Sequence, residues 1–369
     1  MNANASALIR TTPALEEACA ASRGEGMLSL DTEFVWTSTY RPRLGLVQFG
    51  CRAGVWALDC QAGLHPDALG ALVADPACVK ILHDCRQDLV HLRHYAGTSP
   101  KNVFDTQLAA AFAGFRAGIG LQSLLFDAIG VGLPKTETLT DWTRRPLSDA
   151  QIEYALDDVR YLPDLRDELI RRSESLGTRA WMEEEMARFD DPGAFADYDA
   201  DSVWKRIKTG RARLDSRGFA ILRAVAAVRE ELAQRMNVPR GWLGDDPSLV
   251  QIAVERRVGR FRHRLNGPQG EVARRGYEAA LAEALALPED ECPENPRPRY
   301  IQEVVEASDE AYAWMCAHAE SLHVDPAVVA SRATVTAFVD NVEDDGNPLA
   351  CGWRREAFGS EMATRFGVD

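Results

Sequence analysis

The stretch MLSLDTEF, residues 27–34, decides the fold of this 369-residue chain. It begins with the apolar residues of a buried strand and ends with two acids, Asp31 and Glu33. Side chains at positions i and i+2 of a strand point to the same face, so both carboxylates share one face of a sheet. Two such carboxylates repel each other unless a cation lies between them, and oxygen ligands suit Mg²⁺ or Mn²⁺. The pair therefore favours a metal site, although solvated acid pairs are also common at strand ends.

Strands and helices are predicted to alternate in the surrounding sequence. Further strands are expected in RLGLVQFG (43–50), GVWALD (54–59) and VKILHD (79–84), with a hairpin turn between the first two. Helices are expected over residues 65–74, 85–95, 105–114, 120–129 and 148–173. This order predicts an α/β domain with a mixed β-sheet flanked by helices.

Two linkers divide the chain. The stretch 188–204 holds five aspartates without a helical period, and 288–299 holds four prolines, which exclude a helix or a central strand. Between them, FAILRAVAAVREELAQRM (219–236) has apolar residues at helical spacing and ends before Pro239. We expect the regions after the first linker to form two small all-α bundles. The predicted domains span 1–195, 205–287 and 295–369.

Further acids in helical segments extend the candidate site. Asp88 lies in HDCRQDLVHL between apolar neighbours. In LSDAQIEYALDDVRYL (147–162), Tyr154 and Asp158 stand at i and i+4 and so share one helix face, whereas Asp157 is one residue away from that face. A strand pair, a helical Asp and a helical Tyr/Asp pair together favour a two-metal carboxylate site.

These motifs resemble those of the DEDD-type 3′–5′ exonucleases. LSLDTEF with LGLVQ, HDCRQDL and YALDDVRYL are similar to the three motifs of that family, and a Tyr four residues before the last Asp resembles its tyrosine subclass. Within the subclass the chain is most similar to the ribonuclease D family, including DTQLAAAFAG (105–114) and the stretch 135–162. Residues 210–287 resemble the HRDC helical domain shared with RecQ-type helicases, and the last segment resembles a second, divergent copy. The resemblance implies a ribonuclease H-like exonuclease domain followed by two HRDC-type bundles.

The resemblance also implies a role for each residue of the site. Asp31, Glu33 and Asp158 are expected to hold one divalent ion, Mg²⁺ or Mn²⁺, and Asp31 to bridge to a second one that Asp88 helps to hold. Tyr154 is expected to orient the attacking water, since a phenol with a pKa of about 10 is a poor base. The implied activity is a metal-dependent 3′–5′ exoribonuclease that releases nucleoside 5′-monophosphates from single-stranded RNA 3′ ends, with tRNA precursors as substrates in tRNA 3′ maturation.

Four residues are predicted to bind the substrate. Phe34 follows the Asp31/Glu33 pair and can stack on a terminal base, although aromatic residues beside a strand more often belong to the core. Lys135 can contact the terminal phosphate, with a solvated loop lysine as the equal alternative. Arg211 and Arg213 lie in the basic region of the chain and can contact RNA phosphates.

Charge is unevenly distributed along the sequence. The net charge of −14 by itself argues against a nucleic-acid partner. Residues 204–275, however, hold 17 basic and 7 acidic residues, a net charge of +10, which leaves −24 for the remainder. Fifteen of the 17 are arginine, which forms bidentate contacts with phosphate. The region therefore favours RNA capture over the alternative of a bundle with a solvated basic surface.

Other residues near the motifs have more ordinary interpretations. We expect supporting or surface roles for His83, His91 and His94, because Tyr154 already occupies the position at which relatives of the other subclass use His. Asp105 precedes an apolar helix and is predicted to be its N-cap.

Several classes of function are excluded or left open. The first residues lack a signal peptide, no apolar run could span a bilayer, and the eight cysteines form no C-x-x-C pair, so we expect a cytoplasmic protein without a membrane partner. The absence of a GxxxxGK[ST] loop predicts no nucleotide cofactor, and we expect a monomer. Two alternatives stay open: a Werner-like 3′–5′ DNA exonuclease, and a non-catalytic RNA-binding scaffold.

Overall fold

A computed structural model describes residues 7–134, 140–195, 199–259, 264–265, 267–296 and 300–367. Within these residues six strands form one sheet in the order β1-β4-β3-β2-β5-β6. The strands are β1 Leu8–Ile9, β2 Met27–Val35, β3 Arg43–Cys51, β4 Gly54–Asp59, β5 Val79–Leu82 and β6 Val103–Asp105. β3 and β4 are antiparallel, whereas the pairs β1–β4, β2–β5 and β5–β6 are parallel. The sheet is therefore mixed, as predicted.

Strand β2 lies inside the sheet and carries the acid pair. Met27 pairs with Val79 of β5 in the register, and Leu28 and Leu30 are almost fully buried. The predicted hairpin is present, since Cys51 pairs with Gly54 across a two-residue turn. A buried apolar half and an acidic end make β2 a rigid support for the site.

Helices flank the sheet within the same compact unit. Their bounds are α1 Thr12–Glu25, α2 Asp67–Val73, α3 Arg86–Ala96, α4 Thr106–Ala110, α5 Leu121–Ile129, α6 Asp149–Arg160, α7 Leu162–Leu176 and α8 Arg179–Ala187. The single helix predicted over 148–173 is in fact α6 and α7, which separate at Tyr161. Pro163 explains this break, because its missing N–H is tolerated in a first helical turn and not in a helix interior.

Residues Val35–Arg43 and Asp197–Arg299 form a second compact unit. Its helices are α9 Ser216–Met236, α10 Arg240–Leu243, α11 Asp246–Glu255 and α12 Pro268–Ala286. The helix predicted over 219–236 is confirmed, with Asp215 accepting from the N–H of Gly218 at its start and Asn237 in the left-handed conformation at its end. This helical unit has its own core, built around Phe219, Leu249 and Tyr277.

The segment Val35–Arg43 was expected in the α/β domain, yet it packs in the second unit. The Tyr40 hydroxyl donates to the buried carboxylate of Glu230 and accepts from Gln234 Nε2 at 3.2 Å. The backbone N–H of Tyr40 also donates to Asn237 Oδ1 at 3.2 Å. The chain therefore enters the second unit at the last residue of strand β2, Val35.

The C-terminal segment is helical, as predicted, and belongs to the first unit. Its helices are α13 Gln302–Ser321, α14 Pro326–Val329, α15 Arg332–Asp340, α16 Gly352–Arg354 and α17 Ser360–Phe366, with a π-helical turn at Arg355–Gly359. Trp353 is fully buried, with its ring centroid 5.4 Å from that of Phe112 and 5.3 Å from that of Trp181. Residues 300–367 thus share a core with the α/β fold. None of the described helices is both long and apolar enough to cross a membrane.

Candidate active site

Three of the predicted acids meet beside the end of strand β2. Asp31 and Glu33 come from β2, and Asp158 comes from the last half of α6. One carboxylate oxygen of each lies within 4.8 Å of the others, and all three side chains are half-buried. The structure therefore brings together residues that lie more than 120 positions apart in the sequence.

The fourth acid, Asp88, is held by the side chain of Thr32, a residue of β2. It lies in the first turn of α3, is 8% exposed, and accepts a short hydrogen bond from the Thr32 hydroxyl. Thr32 stands between Asp31 and Glu33, so a single strand segment provides two of the acids and holds Asp88 as well. The sequence motif contains Thr32, but its spacing alone does not reveal this contact.

Burial and repulsion disfavour negative charge throughout this cluster. Burial is the largest cause that raises the pKa of Asp31 well above its ordinary range, followed by repulsion from Asp88, Asp158 and Glu33. Burial, followed by repulsion from Asp158 and Asp88, raises the pKa of Glu33 to about 8. Burial also raises the pKa values of Asp88 and Asp158 to about 7, although the Thr32 hydrogen bond lowers that of Asp88. A bound cation would relieve this repulsion.

The cluster fits a hard divalent cation. Its donors are all carboxylate oxygens, the class that Mg²⁺ and Mn²⁺ prefer. Oxygens on opposite sides of one Mg²⁺ lie about 4 Å apart, which is comparable with the separation limit found here. The residues present are therefore able to hold the metal that the motif predicts.

Helix α6 presents Tyr154 and Asp158 to the cluster. Ser148 and Gln151 form a reciprocal capping box that fixes the start of this helix. Burial, then the charges of Asp158, Glu33 and Asp31, raise the pKa of Tyr154, so its hydroxyl keeps its proton at neutral pH. Asp157 instead pairs with Arg160. This agrees with the choice of Asp158 from helical spacing.

Sequence reasoning missed the residues that hold Tyr154 in place. Its ring stacks on the buried indole of Trp142, with 6.1 Å between centroids. The loop of Trp142 is fixed by Arg145, which donates to the Trp142 carbonyl at 2.8 Å and to buried Asp59 at 2.6 Å. A Cβ at Gly45 would lie 2.3 Å from the Trp142 carbonyl oxygen, so this close approach requires glycine. The sequence signal that could have revealed these residues is the stretch DWTRRP (141–146), which lies just before helix α6.

Asp105 has the predicted N-cap role and one more. Its carboxylate accepts from the N–H groups of Gln107 and Leu108 at the start of α4. It also accepts from the N–H groups of Asp84 and Cys85, at 3.1 and 3.0 Å, where the chain enters α3. One buried carboxylate thus fixes the start of the helix that carries Asp88.

Two histidines near the site, His83 and His91, contact neighbouring protein groups. Its two ring nitrogens lie 3.0 Å from the Thr106 hydroxyl and 3.0 Å from the Ile119 carbonyl, and burial lowers its pKa. His91 is buried, and its ring packs edge-on against Phe34 with 4.3 Å between centroids. These contacts agree with the supporting roles expected from the sequence.

The predicted substrate-binding residues do not all lie in the unit that carries the acids. Phe34 is half-buried at the end of β2 and in contact with His91. Lys135 lies outside the described residues. Arg211 and Arg213 are exposed in the second unit. The structure thus places Phe34 on the strand that carries the acids, and the two arginines in the other unit.

Comparisons with known proteins show similarity to 3′–5′ exonucleases. Residues 7–174 match a family profile described as 3′–5′ exonuclease. The Ribonuclease D of Granulibacter bethesdensis is 36% identical over 374 residues, covering 96% of this chain and 91% of that protein. The Ribonuclease D of Acidiphilium cryptum is 35% identical over 362 residues, with the same two coverages.

Solved structures share the fold over most of the chain. Escherichia coli RNase D, described as an exoribonuclease involved in structured RNA processing, has a TM-score of 0.82 and 25% identity and covers 98% of this chain and 99% of its own. The catalytic core of RRP6 from Trypanosoma brucei has a TM-score of 0.57 and 19% identity over 76% of this chain and 80% of its own, a likeness of fold alone. The chain therefore belongs to the ribonuclease D family and is a divalent-metal-dependent 3′–5′ exoribonuclease.

Proposed function

We propose that the enzyme removes nucleotides one at a time from single-stranded RNA 3′ ends with two divalent ions, Mg²⁺ or Mn²⁺. Asp31, Glu33 and Asp158 would hold one ion, and Asp31 with Asp88 the other. When bound, such ions supply Lewis acidity, which lowers the pKa of water and stabilises charge on the departing 3′-oxygen. The observation that carries the proposal is the convergence of three carboxylates within 4.8 Å.

Tyr154 has a positioning role in this proposal. Its raised pKa keeps the phenol protonated, so the hydroxyl donates and accepts hydrogen bonds and does not remove a proton. Its ring is held by Trp142, and its backbone by a capped helix. The hydroxyl is thereby suited to orient a water molecule for in-line attack on the last phosphodiester.

The terminal nucleotide has a candidate pocket beside these residues. A cavity of about 200 Å³ is lined by Tyr154, Asp158, Gln122 and Leu133, among others. We propose that it lies along the path of the RNA 3′ end, with Phe34 and Lys135 as further contacts. A single-stranded end suits a recessed site, because a base-paired end must first be separated.

The basic second unit would capture the remainder of the RNA. Its net charge of +10 over residues 204–275 supports binding to phosphates, with Arg211 and Arg213 among the contacts. We propose that residues 205–287 form an HRDC-type domain and that residues 295–369 form a second, divergent copy. We further propose that the monomeric enzyme acts on tRNA precursors in the cytoplasm, a substrate class favoured by similarity to an exoribonuclease of structured RNA processing.

One experiment tests the catalytic assignment. RNA labelled at its 5′ end and carrying a single-stranded 3′ tail is incubated with the protein and Mg²⁺ or Mn²⁺. We expect stepwise shortening with release of 5′-monophosphates. Asp31→Asn should reduce the rate by about 10²–10³-fold, because it removes one negatively charged ligand for the metal.

A matched variant separates the site from general charge effects. Asp127 is an exposed acid of the same unit, so Asp127→Asn removes one negative charge away from the cluster and should leave the rate within twofold. Equal rates for Asp31→Asn and the unmodified enzyme would refute the assignment.

A labelled DNA strand of the same sequence is included, and faster degradation of DNA would contradict the RNA preference.

A further inference from the structure

A second pocket opens in the helical unit. Its volume is about 360 Å³, which is within the range of about 300–1,000 Å³ typical of small-ligand sites. Its apolar side is built from Trp204, Phe219 and Leu222, and the rings of Trp204 and Phe219 lie 5.9 Å apart. Thr209, Arg213 and Asn295 add polar groups to the lining. An apolar wall with a few polar groups suits a flat, partly polar molecule such as a nucleobase.

The segment that borders this pocket is unusually basic. KRIKTGRAR, residues 205–213, holds five cationic side chains and no acid, and all five are exposed. Among the described residues, Lys208, Arg211 and Arg213 form no ion pair. Some other exposed arginines of the unit are paired, for example Arg275 with Glu271 at 3.0 Å. The positive charge beside the pocket is therefore available to an external anion.

An open turn lies at the edge of this pocket, whose aromatic wall is otherwise mostly buried, with Trp204 4% and Phe219 6% exposed. Gly210 has a φ of +61°, a left-handed conformation that glycine adopts without strain, and it lines the pocket with Ala212. A Cβ at Gly210 would have no atom within 4 Å, so the turn stands in open space. A polymer could thus lie across the turn with one substituent inside the pocket.

We propose that this pocket takes one base of single-stranded RNA, while Lys208, Arg211 and Arg213 bind the flanking phosphates. The proposal deepens the proposed RNA capture by the second unit, on which it rests, and defines a base-binding site in a unit other than the one that carries the acids. Single-stranded nucleic acid is bound in this way elsewhere, by a basic groove beside aromatic side chains. A ligand with regularly spaced anions and planar apolar groups satisfies both parts of the site.

Photocrosslinking tests the position of the base directly. The full-length enzyme in EDTA is irradiated with oligouridylate that contains 4-thiouridine, and the crosslinked peptides are identified by mass spectrometry. We expect crosslinks within residues 204–222 or at Asn295. Crosslinks confined to other parts of the chain would overturn the proposal.

Affinity measurements test the pocket and the cations separately. Ala212→Phe should fill the pocket and weaken oligouridylate binding about tenfold in fluorescence anisotropy, with an unchanged salt slope. Arg213→Gln should weaken binding and reduce the slope of log K against log salt by about 0.7, the value for one lost contact with a single strand. Thermal unfolding of each variant confirms that it is folded.

Arg275→Gln is the matched control, because it removes one exposed positive charge from the same unit without touching the pocket. It should bind within twofold of the unmodified enzyme, and equal weakening by Arg275→Gln and Arg213→Gln would refute a specific site. An RNA dinucleotide with Mg²⁺ reports on catalysis alone, since it has a single phosphodiester. If the dinucleotide is cleaved and Ala212→Phe binds normally, this inference fails while the proposed function stands; if no RNA is cleaved, the proposed function fails.

Discussion

The carboxyl groups of the active site resist ionisation, and this links metal binding to stability. Burial and mutual repulsion raise the pKa of Glu33 to about 8 and those of Asp88 and Asp158 to about 7. In an unfolded chain the same groups have pKa values of about 4. Between these limits the folded state binds more protons than the unfolded state, so its stability falls as pH rises.

We therefore predict a pH-dependent melting temperature in the absence of metal. In EDTA, the stabilising contribution should be fully present below about pH 4 and should be lost as pH rises through about 7 to 8. Thermal unfolding followed by circular dichroism from pH 5 to pH 9 measures this loss. Saturating Mg²⁺ should remove most of it, because a cation bound only by the folded state compensates the repulsion.

Two variants make this prediction specific to the cluster. Asp31→Asn removes one repelling charge and should flatten the decline, whereas Asp127→Asn lies on an exposed surface and should not change it. A melting temperature in EDTA that rises between pH 6 and pH 8 would contradict the argument.

For single residues, the sequence predicted the acids of the site but not the side chains that hold the site residues in place. Local motifs with strand or helix periodicity contain Asp31, Glu33, Tyr154 and Asp158. Trp142, in contrast, reaches Tyr154 through a packing contact in three dimensions, and no local periodicity encodes such a contact.

The elements of the site depend on how their ends are fixed. Helix α3 carries Asp88 and begins at Arg86, and the side chain of the preceding N-cap residue, Cys85, does not cap it. Asp105 from the end of β6 instead accepts from the Cys85 N–H. Fixing a helix start with a residue 20 positions away couples α3 to the sheet edge and keeps Asp88 near the cluster.

Replacing Asp105 should destabilise this corner of the fold. Asp105→Ala leaves four backbone N–H groups without their acceptor, and we expect the free energy of unfolding to fall by about 3–5 kcal/mol. Asp105→Asn keeps one oxygen and should cost about 1–2 kcal/mol. Urea unfolding measures both values.

Asp67→Ala is the control for this prediction, since Asp67 is an exposed acid in the first turn of α2 and caps nothing. It should change stability by no more than about 0.5 kcal/mol. Equal losses for Asp67→Ala and Asp105→Ala would show that the contacts to α3 and α4 carry no specific stability.

Most elements were predictable because their signals are local. Apolar alternation and turn residues predicted β3 and β4, and helical spacing with Pro239 predicted α9. The break between α6 and α7 was missed because apolar periodicity continues through Pro163. The packing of 35–43 in the second unit had no local signal, since it depends on Tyr40 meeting the buried Glu230.

Over the whole molecule, the distribution of charge follows the two units, whereas the division of the core does not follow the order of the sequence. The basic residues concentrate in the second unit, whereas the core of the first unit extends into the C-terminal segment. Prolines at 288–299 suggested that the last segment stands alone. They predict a linker, but a linker does not determine the surface against which the following helices pack. Deleting 205–369 would remove part of the first unit's core, so point variants test RNA capture more cleanly.

A buried ion pair connects the C-terminal segment to the α/β fold. Glu185 of α8 is 7% exposed and accepts from Trp353 Nε1 at 2.9 Å and from the Arg354 guanidinium. Burial opposes ionisation of Glu185, but the hydrogen bonds from Arg354 and Trp353 outweigh it and hold its pKa below the ordinary value. The pair therefore stabilises the fold at neutral pH, and this contribution is lost as pH falls through the folded-state pKa of Glu185.

Glu185→Gln should accordingly be costly, because it leaves the Arg354 charge buried without its partner. We expect the free energy of unfolding in urea at pH 7 to fall by about 3–5 kcal/mol. Glu183→Gln, two residues earlier on the same helix, breaks only the exposed pair with Arg179 and should cost less than about 1 kcal/mol. At pH 3 the difference between the two variants should shrink, since protonation of Glu185 removes the ion pair in the unmodified chain. Equal losses at pH 7 would show that the C-terminal segment is held by apolar packing around Trp353 alone.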